Sequence, residues 1–287
     1  MPVARTLQVA GALALWASLY VCGALVCLWQ LAGAPGAPPP MAFAAAGALA
    51  AATYLLDRVK LADRLLDPAD PVAHPTRAAI VRRRRGALRA AILILATLGA
   101  AAAWSLHPLA ALLAPASLIG VTIYAGRPPA ASRPRIKDRL LLKNLAVGAS
   151  QTAFAAALLF AAEQPVSASS LPHIVPGAAF LLLIITADAA LCDLDDLSAD
   201  AQFGTRTLPN TLRRAPAIRW ALAAEFVAGV ALLACLPLLR RPVAGALWAI
   251  LTPATALGIT VLRPAGPVRD LIDARLILIA AVALAAG

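Results

Sequence analysis

The residues most suited to chemistry form an acidic cluster directly after a long apolar stretch. The stretch AAFLLLIITADAAL at 178–191 is followed by CDLDDLSADAQFGTRTLP at 192–209. The second stretch contains Asp193, Asp195, Asp196 and Asp200, although the whole chain of 287 residues has only 14 acidic residues. So much negative charge at one place indicates either a solvated helix end neutralised by nearby arginines or a binding site for a cation.

The spacing of these aspartates favours a cation site. On one continuous α-helix, Asp193, Asp196 and Asp200 would lie within about 60° of one another. Carboxylates on one stripe repel each other and raise each other's pKa unless a cation compensates. Mg²⁺ prefers such oxygen ligands and often binds substrate phosphates as well. Gly204 and Arg206 follow, and arginine binds phosphate through two parallel hydrogen bonds. The stretch therefore predicts a metal–diphosphate site.

A second acidic cluster follows another apolar stretch. Residues 53–77 read TYLLDRVKLADRLLDPADPVAHPTR. Its acidic residues are Asp57, Asp63, Asp67 and Asp70. Both clusters end stretches of membrane-helix character, and we expect them to lie on the same side of the membrane.

The composition indicates an integral membrane protein. The chain is 61% hydrophobic and 14% charged, whereas a soluble domain is about half apolar and a quarter charged. A membrane-spanning helix needs about 20 mostly apolar residues. The predicted spans are 9–33, 41–57, 86–107, 108–126, 141–162, 174–192, 217–239, 243–262 and 271–286. We therefore predict an all-α polytopic membrane protein, with about nine transmembrane helices bundled around a central cavity and residues 1–287 forming a single domain.

The distribution of basic residues predicts the orientation. With the N-terminus in the cytoplasm, all but Arg240 and Arg241 of the 25 lysines and arginines fall on the cytoplasmic side. Cytoplasmic loops carry this excess in membrane proteins. The net charge of +11 is then explained by topology, and no basic domain stands free of the membrane to bind nucleic acid.

The second cluster resembles a motif of a known family. DLDDLSADAQFGTRTLP is similar to the second aspartate motif of the UbiA superfamily of intramembrane prenyltransferases, which reads Asp-x-x-Asp-x-x-x-Asp and then Gly-x-x-Thr-Leu-Pro. The matching residues are Asp193, Asp196, Asp200, Gly204, Thr207, Leu208 and Pro209. The resemblance implies a helical bundle around a membrane cavity, in which Mg²⁺ held by two aspartate motifs binds a prenyl diphosphate.

The first cluster departs from the family's first motif, Asn-x-x-x-Asp-x-x-x-Asp. Thr53 stands at the Asn position, Asp57 matches, and Leu61 occupies the place of the second aspartate. Asp63 is the nearest carboxylate and is our predicted substitute.

The resemblance, together with the charges, predicts roles for individual residues. The predicted metal ligands are Asp57, Asp63, Asp193, Asp196 and Asp200. The predicted diphosphate-binding residues are Arg58, Lys60, Lys137, Lys143 and Arg206. Asp57, Asp196 and Asp200 are predicted to be catalytic. Tyr124 is added to them because Tyr124 and Lys137 resemble a tyrosine and a lysine that the family has near the end of the fourth helix. For each basic residue, the positive-inside distribution is an alternative explanation.

The resemblance implies Mg²⁺-dependent transfer of a prenyl group from a polyprenyl diphosphate to an aromatic or lipid-like acceptor. A non-catalytic isoprenoid-binding or transport protein is the alternative, favoured by the altered first motif. Transporters usually place functional charge near the middle of the membrane, whereas most acidic residues here follow apolar stretches. Frequent Ala, Arg and Pro with little Lys indicate a GC-rich, bacterial genome, and we expect the protein to lie in a bacterial plasma membrane.

The predicted orientation can be tested with fusions. A reporter placed after Gly287 is expected to be extracytoplasmic, and the same reporter at Ala73 or Ala131 is expected to be cytoplasmic. A cytoplasmic C-terminus would contradict the nine-helix topology.

Overall fold

The computed structural model describes residues 9–125, 136–163, 171–263 and 267–286. Within these ranges the regular structure is entirely helical, which confirms the predicted all-α class. The helices, numbered in chain order, are α1 (Leu15–Leu31), α2 (Pro40–Val59), α3 (Asp70–Ala73), α4 (Pro75–Leu106), α5 (Leu113–Ala125), α6 (Leu142–Ala162), α7 (Leu171–Cys192), α8 (Leu197–Phe203), α9 (Leu208–Leu212), α10 (Arg214–Ala234), α11 (Pro242–Leu262) and α12 (Arg269–Ala286).

The helical membrane fold agrees with the sequence, but the count of nine spans is not confirmed. Among the described residues, seven helical segments are long and apolar enough to cross a membrane. They contain α2, α4, α5 with the preceding turn, α6, α7, α10 and α11. Helix α1 has only 17 residues, and the first two turns of α12 contain four charged residues, Arg269, Asp270, Asp273 and Arg275.

Helix α1 lies in the interior of the bundle. It contacts α2, α6, α7, α11 and α12. Leu25, Leu28 and Trp29 are at most 1% exposed, and this helix has no polar face because neighbours cover it on every side. Outer helices instead expose large apolar side chains such as Leu93 and Ile119, as expected for surfaces that face lipid.

Small residues let some helices approach closely. A Cβ atom added at Gly23 of α1 would lie 2.6 Å from the carbonyl carbon of Leu276 in α12. One added at Gly148 of α6 would lie 2.8 Å from the carbonyl oxygen of Leu182 in α7. Glycine at such crossings is typical of membrane helices, which associate through close packing.

The two acidic segments form compact structures outside the long helices. After α2, the chain makes a 3₁₀ turn at Asp63–Leu65 and then the short helix α3. After α7, it makes a 3₁₀ turn at Asp193–Asp195, followed by α8 and α9. Residues of both segments are placed by this local folding and by their contacts with each other.

Candidate active site

The two acidic segments line one pocket at the ends of the long helices. Asp67, Ala69, Asp70 and Ala73 come from the segment after α2, and Asp196, Ala199, Asp200 and Thr205 come from the segment after α7; Lys137, Asp138 and Lys143 complete the lining. Carboxylates and ammonium groups therefore surround a single opening, as a site for a cation and an anion together requires.

The expected stripe of three aspartates on one continuous helix is wrong. Helix α7 ends at Cys192, and Asp193–Asp195 form a 3₁₀ turn. Asp196, with φ −97° and ψ 0°, then starts α8, which ends at Gly204 with φ 71°. The change of helix type separates Asp193 from the pocket lining, whereas Asp196 and Asp200 remain in it.

Asp196 is the centre of a charged cluster that draws on three parts of the chain. Its Oδ1 lies 2.7 Å from His74 Nε2, and its Oδ2 accepts a hydrogen bond from Arg269 Nη2 at 2.6 Å. Burial raises the pKa of Asp196, but Arg269 and His74 outweigh this effect and hold the pKa well below its usual range. Asp196 is therefore ionised at neutral pH.

His74 and Arg269 are site residues that the sequence did not reveal. Their partner Asp196 is 122 and 73 positions away in the chain, so no local spacing connects them. Arg269 also donates to the carbonyl of Cys192 at 3.1 Å and lies 2.9 Å from His74 Nε2. Burial lowers the pKa of His74, although its hydrogen bond to Asp196 opposes this effect. The sequence signal for His74 was its position within the first acidic segment, residues 53–77.

Asp200 offers a carboxylate oxygen for a ligand. The residue is 6% exposed. Its buried Oδ2 makes no hydrogen bond of good geometry among the described residues, although the Thr207 side chain is near enough to lower the pKa of Asp200. Burial raises the pKa of Asp200 to about 6; Asp196 and Asp193 raise it as well, whereas Lys143 lowers it. A buried oxygen without a partner costs free energy, and a bound cation would remove that cost.

Asp193 is tied to the start of α6. Lys143 Nζ lies 2.6 Å from its Oδ1, and Asn144 Nδ2 donates to its Oδ2 at 3.2 Å. Asp193 is 2% exposed and Asn144 is 1% exposed. This pair brings Lys143 to the pocket and holds the acidic segment against α6.

The first acidic segment turns away from the helix before its second aspartate. Helix α2 ends at Val59, and Lys60 has a positive φ of 54°. The Lys60 ammonium group pairs with Asp57. Both residues line a second, mostly apolar crevice beside α5 rather than the main pocket.

The same turn separates Asp63 from Asp67. The carboxylate of Asp63 is 61% exposed and pairs with Arg85 and Arg89 of α4. The hydrogen bond from Arg89 is the main cause of its lowered pKa. Asp67 has a side chain only 5% exposed, pairs with Lys137 and lines the pocket. The structure therefore places Asp67, and not the predicted substitute Asp63, opposite the second segment.

The remaining predicted residues are placed differently from one another. Arg58 donates to the carbonyl of Ala12 at 3.0 Å and to that of Gly11. Arg206 is exposed, and its backbone N–H donates to the carbonyl of Asp138 at 3.3 Å. Tyr124 is half-buried in α5 and has Lys143, Asp57 and Asp193 as electrostatic neighbours. Of the predicted basic residues, Lys137 and Lys143 line the pocket.

The donor set suits Mg²⁺ in its chemistry, but its ligands are not gathered in advance. Oxygen donors from both segments face one pocket, and Asp200 Oδ2 has no partner. Among the described residues, no group of three or more His, Cys, Asp or Glu side chains stands ready to hold a metal ion. Asp67, Asp193 and Asp196 are instead paired with basic side chains. A metal ion could bind these carboxylates if an anion bound the basic side chains at the same time.

Comparisons with known proteins identify the relatives of this chain. The UbiA prenyltransferase family matches residues 21–280, whereas no curated protein matches the chain. A solved UbiA homologue from Aeropyrum pernix K1 has 17% identity and a TM-score of 0.64, covering 94% of this chain and 97% of its own. A UbiA homologue from Archaeoglobus fulgidus, bound to DMAPP and Mg²⁺, has 13% identity and a TM-score of 0.61, covering 93% and 94%. A structure of digeranylgeranylglyceryl phosphate synthase has 15% identity and a TM-score of 0.55, covering 100% and 97%.

Asp195 differs from the neighbouring aspartates because it supports the fold and does not line the pocket. Asp195 accepts hydrogen bonds from the backbone N–H groups of Val268 and Arg269 at 2.9–3.1 Å, at the start of α12. We expect Asp195→Ala to lower the free energy of unfolding by about 0.5–2 kcal/mol, as loss of a helix cap does. Asp195→Asn retains an acceptor oxygen and is expected to stay close to the wild type. Thermal unfolding in detergent measures both, and wild-type stability of Asp195→Ala would contradict the capping role.

Proposed function

The chain belongs to the UbiA prenyltransferase family, and from this premise we propose that it transfers a prenyl group from a polyprenyl diphosphate to an acceptor within the membrane. The observation that carries the proposal is the pocket between the two acidic segments, where carboxylates and two lysines meet. Its place at the ends of the long apolar helices suits a substrate with a charged head and an apolar tail.

The pocket residues divide by charge into two groups of ligands. Lys137 and Lys143 are proposed to bind the diphosphate oxygens, and Asp67, Asp196 and Asp200 are proposed to hold the cofactor Mg²⁺. The homologue from Archaeoglobus fulgidus is bound to DMAPP and Mg²⁺, which supports a prenyl diphosphate and Mg²⁺ as the molecules that this pocket binds. Bound Mg²⁺ supplies Lewis-acid neutralisation of the leaving diphosphate.

The ion pairs present in the pocket explain how the charged ligands are accommodated. Lys137 pairs with Asp67, and Lys143 pairs with Asp193. When a cation and a diphosphate enter together, the carboxylates gain a cation and the lysines gain phosphate oxygens. Lys143 has three N–H donors, so it can bind phosphate while it stays paired with Asp193. No charged side chain in this partly buried site then loses its partner, a loss that would be costly.

The chemical step needs charge stabilisation and exclusion of water. The allylic C–O bond breaks and its electron pair leaves with the diphosphate, while the acceptor forms the new bond to the allylic carbon and loses a proton. Lys137 and Lys143 stabilise the charge that develops on the leaving group. The apolar interior of the bundle keeps water from the allylic carbon. Tyr124 is proposed to face the developing positive charge with its ring.

The alternative of a transport protein finds less support in the deeper charges. Asp188 and Glu225 lie within membrane helices, where ionisable residues often mark transport routes. Both are at most 2% exposed, and both pair with Arg275. Because these groups are buried and paired, they do not line an accessible path.

The proposed acceptor is aromatic or lipid-like, and the proposed location is a bacterial plasma membrane with the pocket on the cytoplasmic side.

Substitution of the pocket carboxylates tests the proposal. We expect Asp67→Asn, Asp196→Asn and Asp200→Asn each to reduce turnover by two or more orders of magnitude, about 3 kcal/mol on the barrier. Asp57→Asn tests the predicted catalytic residue that lines the second crevice. Its turnover is expected to fall by a similar factor. The assay follows transfer of label from geranylgeranyl diphosphate into membrane lipids with Mg²⁺, and a chelator is expected to abolish it.

Two matched controls accompany the series. Asp63→Asn removes a carboxylate that faces α4, and Arg84→Gln removes an exposed charge of α4. Both are expected to stay within a few-fold of the wild type. Full turnover of folded Asp196→Asn and Asp200→Asn would contradict the metal–diphosphate role, and a large loss in Asp63→Asn would restore Asp63 to the site.

A further inference from the structure

Arg275 forms a charged cluster in the interior of the bundle, separate from the pocket lining. Its Nη2 atom donates to Asp188 Oδ1 at 2.5 Å and to Glu225 Oε1 at 2.7 Å. Its Nη1 atom donates to Glu225 Oε2 at 3.0 Å and to the carbonyl of Thr252 at 2.7 Å. The hydroxyl of Tyr20 donates to Asp188 Oδ2 at 2.6 Å. The cluster therefore connects five helices: α1, α7, α10, α11 and α12.

The cluster is not explained by stability alone. Arg275, Asp188 and Glu225 are at most 2% exposed and Tyr20 is 4% exposed. Ion pairs that are this deeply buried are often no more stabilising than apolar side chains of similar size, because desolvation offsets their attraction. They do fix direction, since a guanidinium group holds its partners in a planar fork. A role in geometry is consistent with both facts.

The cluster lies on two helices that hold the acidic segment after α7: α7 precedes this segment, and α12 contacts it through the hydrogen bond from Arg269 to Asp196. Asp188 precedes Asp193 by five positions in the chain, and Arg275 follows Arg269 by six. At about 1.5 Å per helical residue, these steps correspond to roughly 8–9 Å along each helix. Helices α7 and α12 are thus joined in the interior through Asp188 and Arg275.

The two helices are joined a second time at the pocket. There, Asp195 accepts from the backbone at the start of α12, and Arg269 donates to Asp196. Rotation or sliding of α7 against α12 would break the interior contacts and shift the carboxylates at the pocket at the same time. Apolar packing alone would hold the helices less firmly in one orientation, because apolar contacts have no preferred direction.

We propose that Arg275, with Asp188, Glu225 and Tyr20, is a positioning element for the acidic segment after α7. It sets the height and rotation of α7 against α12, so that Asp196 and Asp200 face the pocket. None of the four residues lines the pocket, and the effect on the diphosphate is indirect. The ligand in this inference rests on the proposed function, whereas the helix geometry does not.

The test replaces the whole cluster by apolar side chains, which avoids leaving a buried charge unpaired. The variant combines Tyr20→Phe, Asp188→Leu, Glu225→Leu and Arg275→Met. We expect it to fold with an unfolding temperature no lower than that of the wild type. We also expect its affinity for geranylgeranyl diphosphate in Mg²⁺ to fall at least tenfold. Undiminished affinity would overturn the proposal.

A control variant separates positioning from general damage to the interior. Trp248 Nε1 donates to Gln30 Oε1 at 2.8 Å, and both residues are buried between α1 and α11. Gln30→Met removes this hydrogen bond, and we expect it to lower the unfolding temperature while leaving diphosphate affinity unchanged. A similar loss of affinity in Gln30→Met would overturn the proposal, because any interior change would then have the same effect.

A distance measurement gives a readout that does not depend on the ligand. Spin labels are attached at Ser198→Cys and Leu271→Cys, both exposed positions, after replacement of the free cysteines Cys22, Cys27, Cys192 and Cys235. We expect one narrow distance with the cluster intact and a shifted or broadened one in the apolar variant. An unchanged distance overturns the proposal.

The outcomes remain decisive if one part of the experiment fails. If the parent protein does not bind prenyl diphosphate, the proposed function fails, and the spin-label distance still decides the positioning role. If the apolar variant does not fold, Arg275→Lys takes its place, because lysine keeps the charge but loses the fork. We expect Arg275→Lys to shift the distance and to weaken diphosphate affinity at least threefold, and wild-type values would overturn the proposal.

Discussion

The ion pairs of Asp196 are the interaction on which the arrangement of the pocket depends. This carboxylate contacts His74 from the first acidic segment and Arg269 from the last helix. Removing either partner would leave a largely buried charge undercompensated, which is costly in a protein interior. The pairing therefore holds together three parts of the chain that are far apart in sequence, and the opening between the two acidic segments follows from it.

The membrane accounts for where the other charges lie. Buried polar groups need partners, and charges in the apolar bundle are expensive unless they are paired. The acidic segments satisfy this requirement by following the ends of α2 and α7, where lysines and arginines reach them. The Arg275 cluster is the interior exception, and it too is paired. Charge is thus placed either at the ends of the helices or in a closed cluster that links them.

The sequence predicted the membrane-helical class and the family, because long apolar stretches and the spacing of Asp193, Asp196 and Asp200 are local properties. The family match over residues 21–280 confirms the resemblance. The break between Asp193 and Asp196 was not predictable from spacing, because the same sequence is compatible with a continuous helix and with a 3₁₀ turn. Likewise, nothing in the sequence indicated that the chain turns at Lys60, which moves Asp63 toward α4 and Asp67 into the pocket.

Long-range partners were the least predictable part of the site. His74 and Arg269 depend on contacts that only the folded bundle creates. Arg275, which the sequence analysis counted among the cytoplasmic basic residues, lies buried in α12. Its charge is explained by Asp188 and Glu225 on other helices. Such pairings follow from which helix faces meet, and one sequence does not reveal them.

The central claim is that the two acidic segments form one site that takes up a divalent cation and a diphosphate together. Electron paramagnetic resonance of Mn²⁺, used in place of Mg²⁺, measures this directly. With a non-cleavable prenyl thiolodiphosphate present, we expect protein-bound Mn²⁺ with magnetic coupling to ³¹P, and we expect Asp200→Asn to weaken that binding. Without the diphosphate, we expect little bound Mn²⁺, because basic side chains pair with Asp67, Asp193 and Asp196. Bound Mn²⁺ that shows no coupling to ³¹P, or metal-independent binding of the diphosphate, would contradict the account.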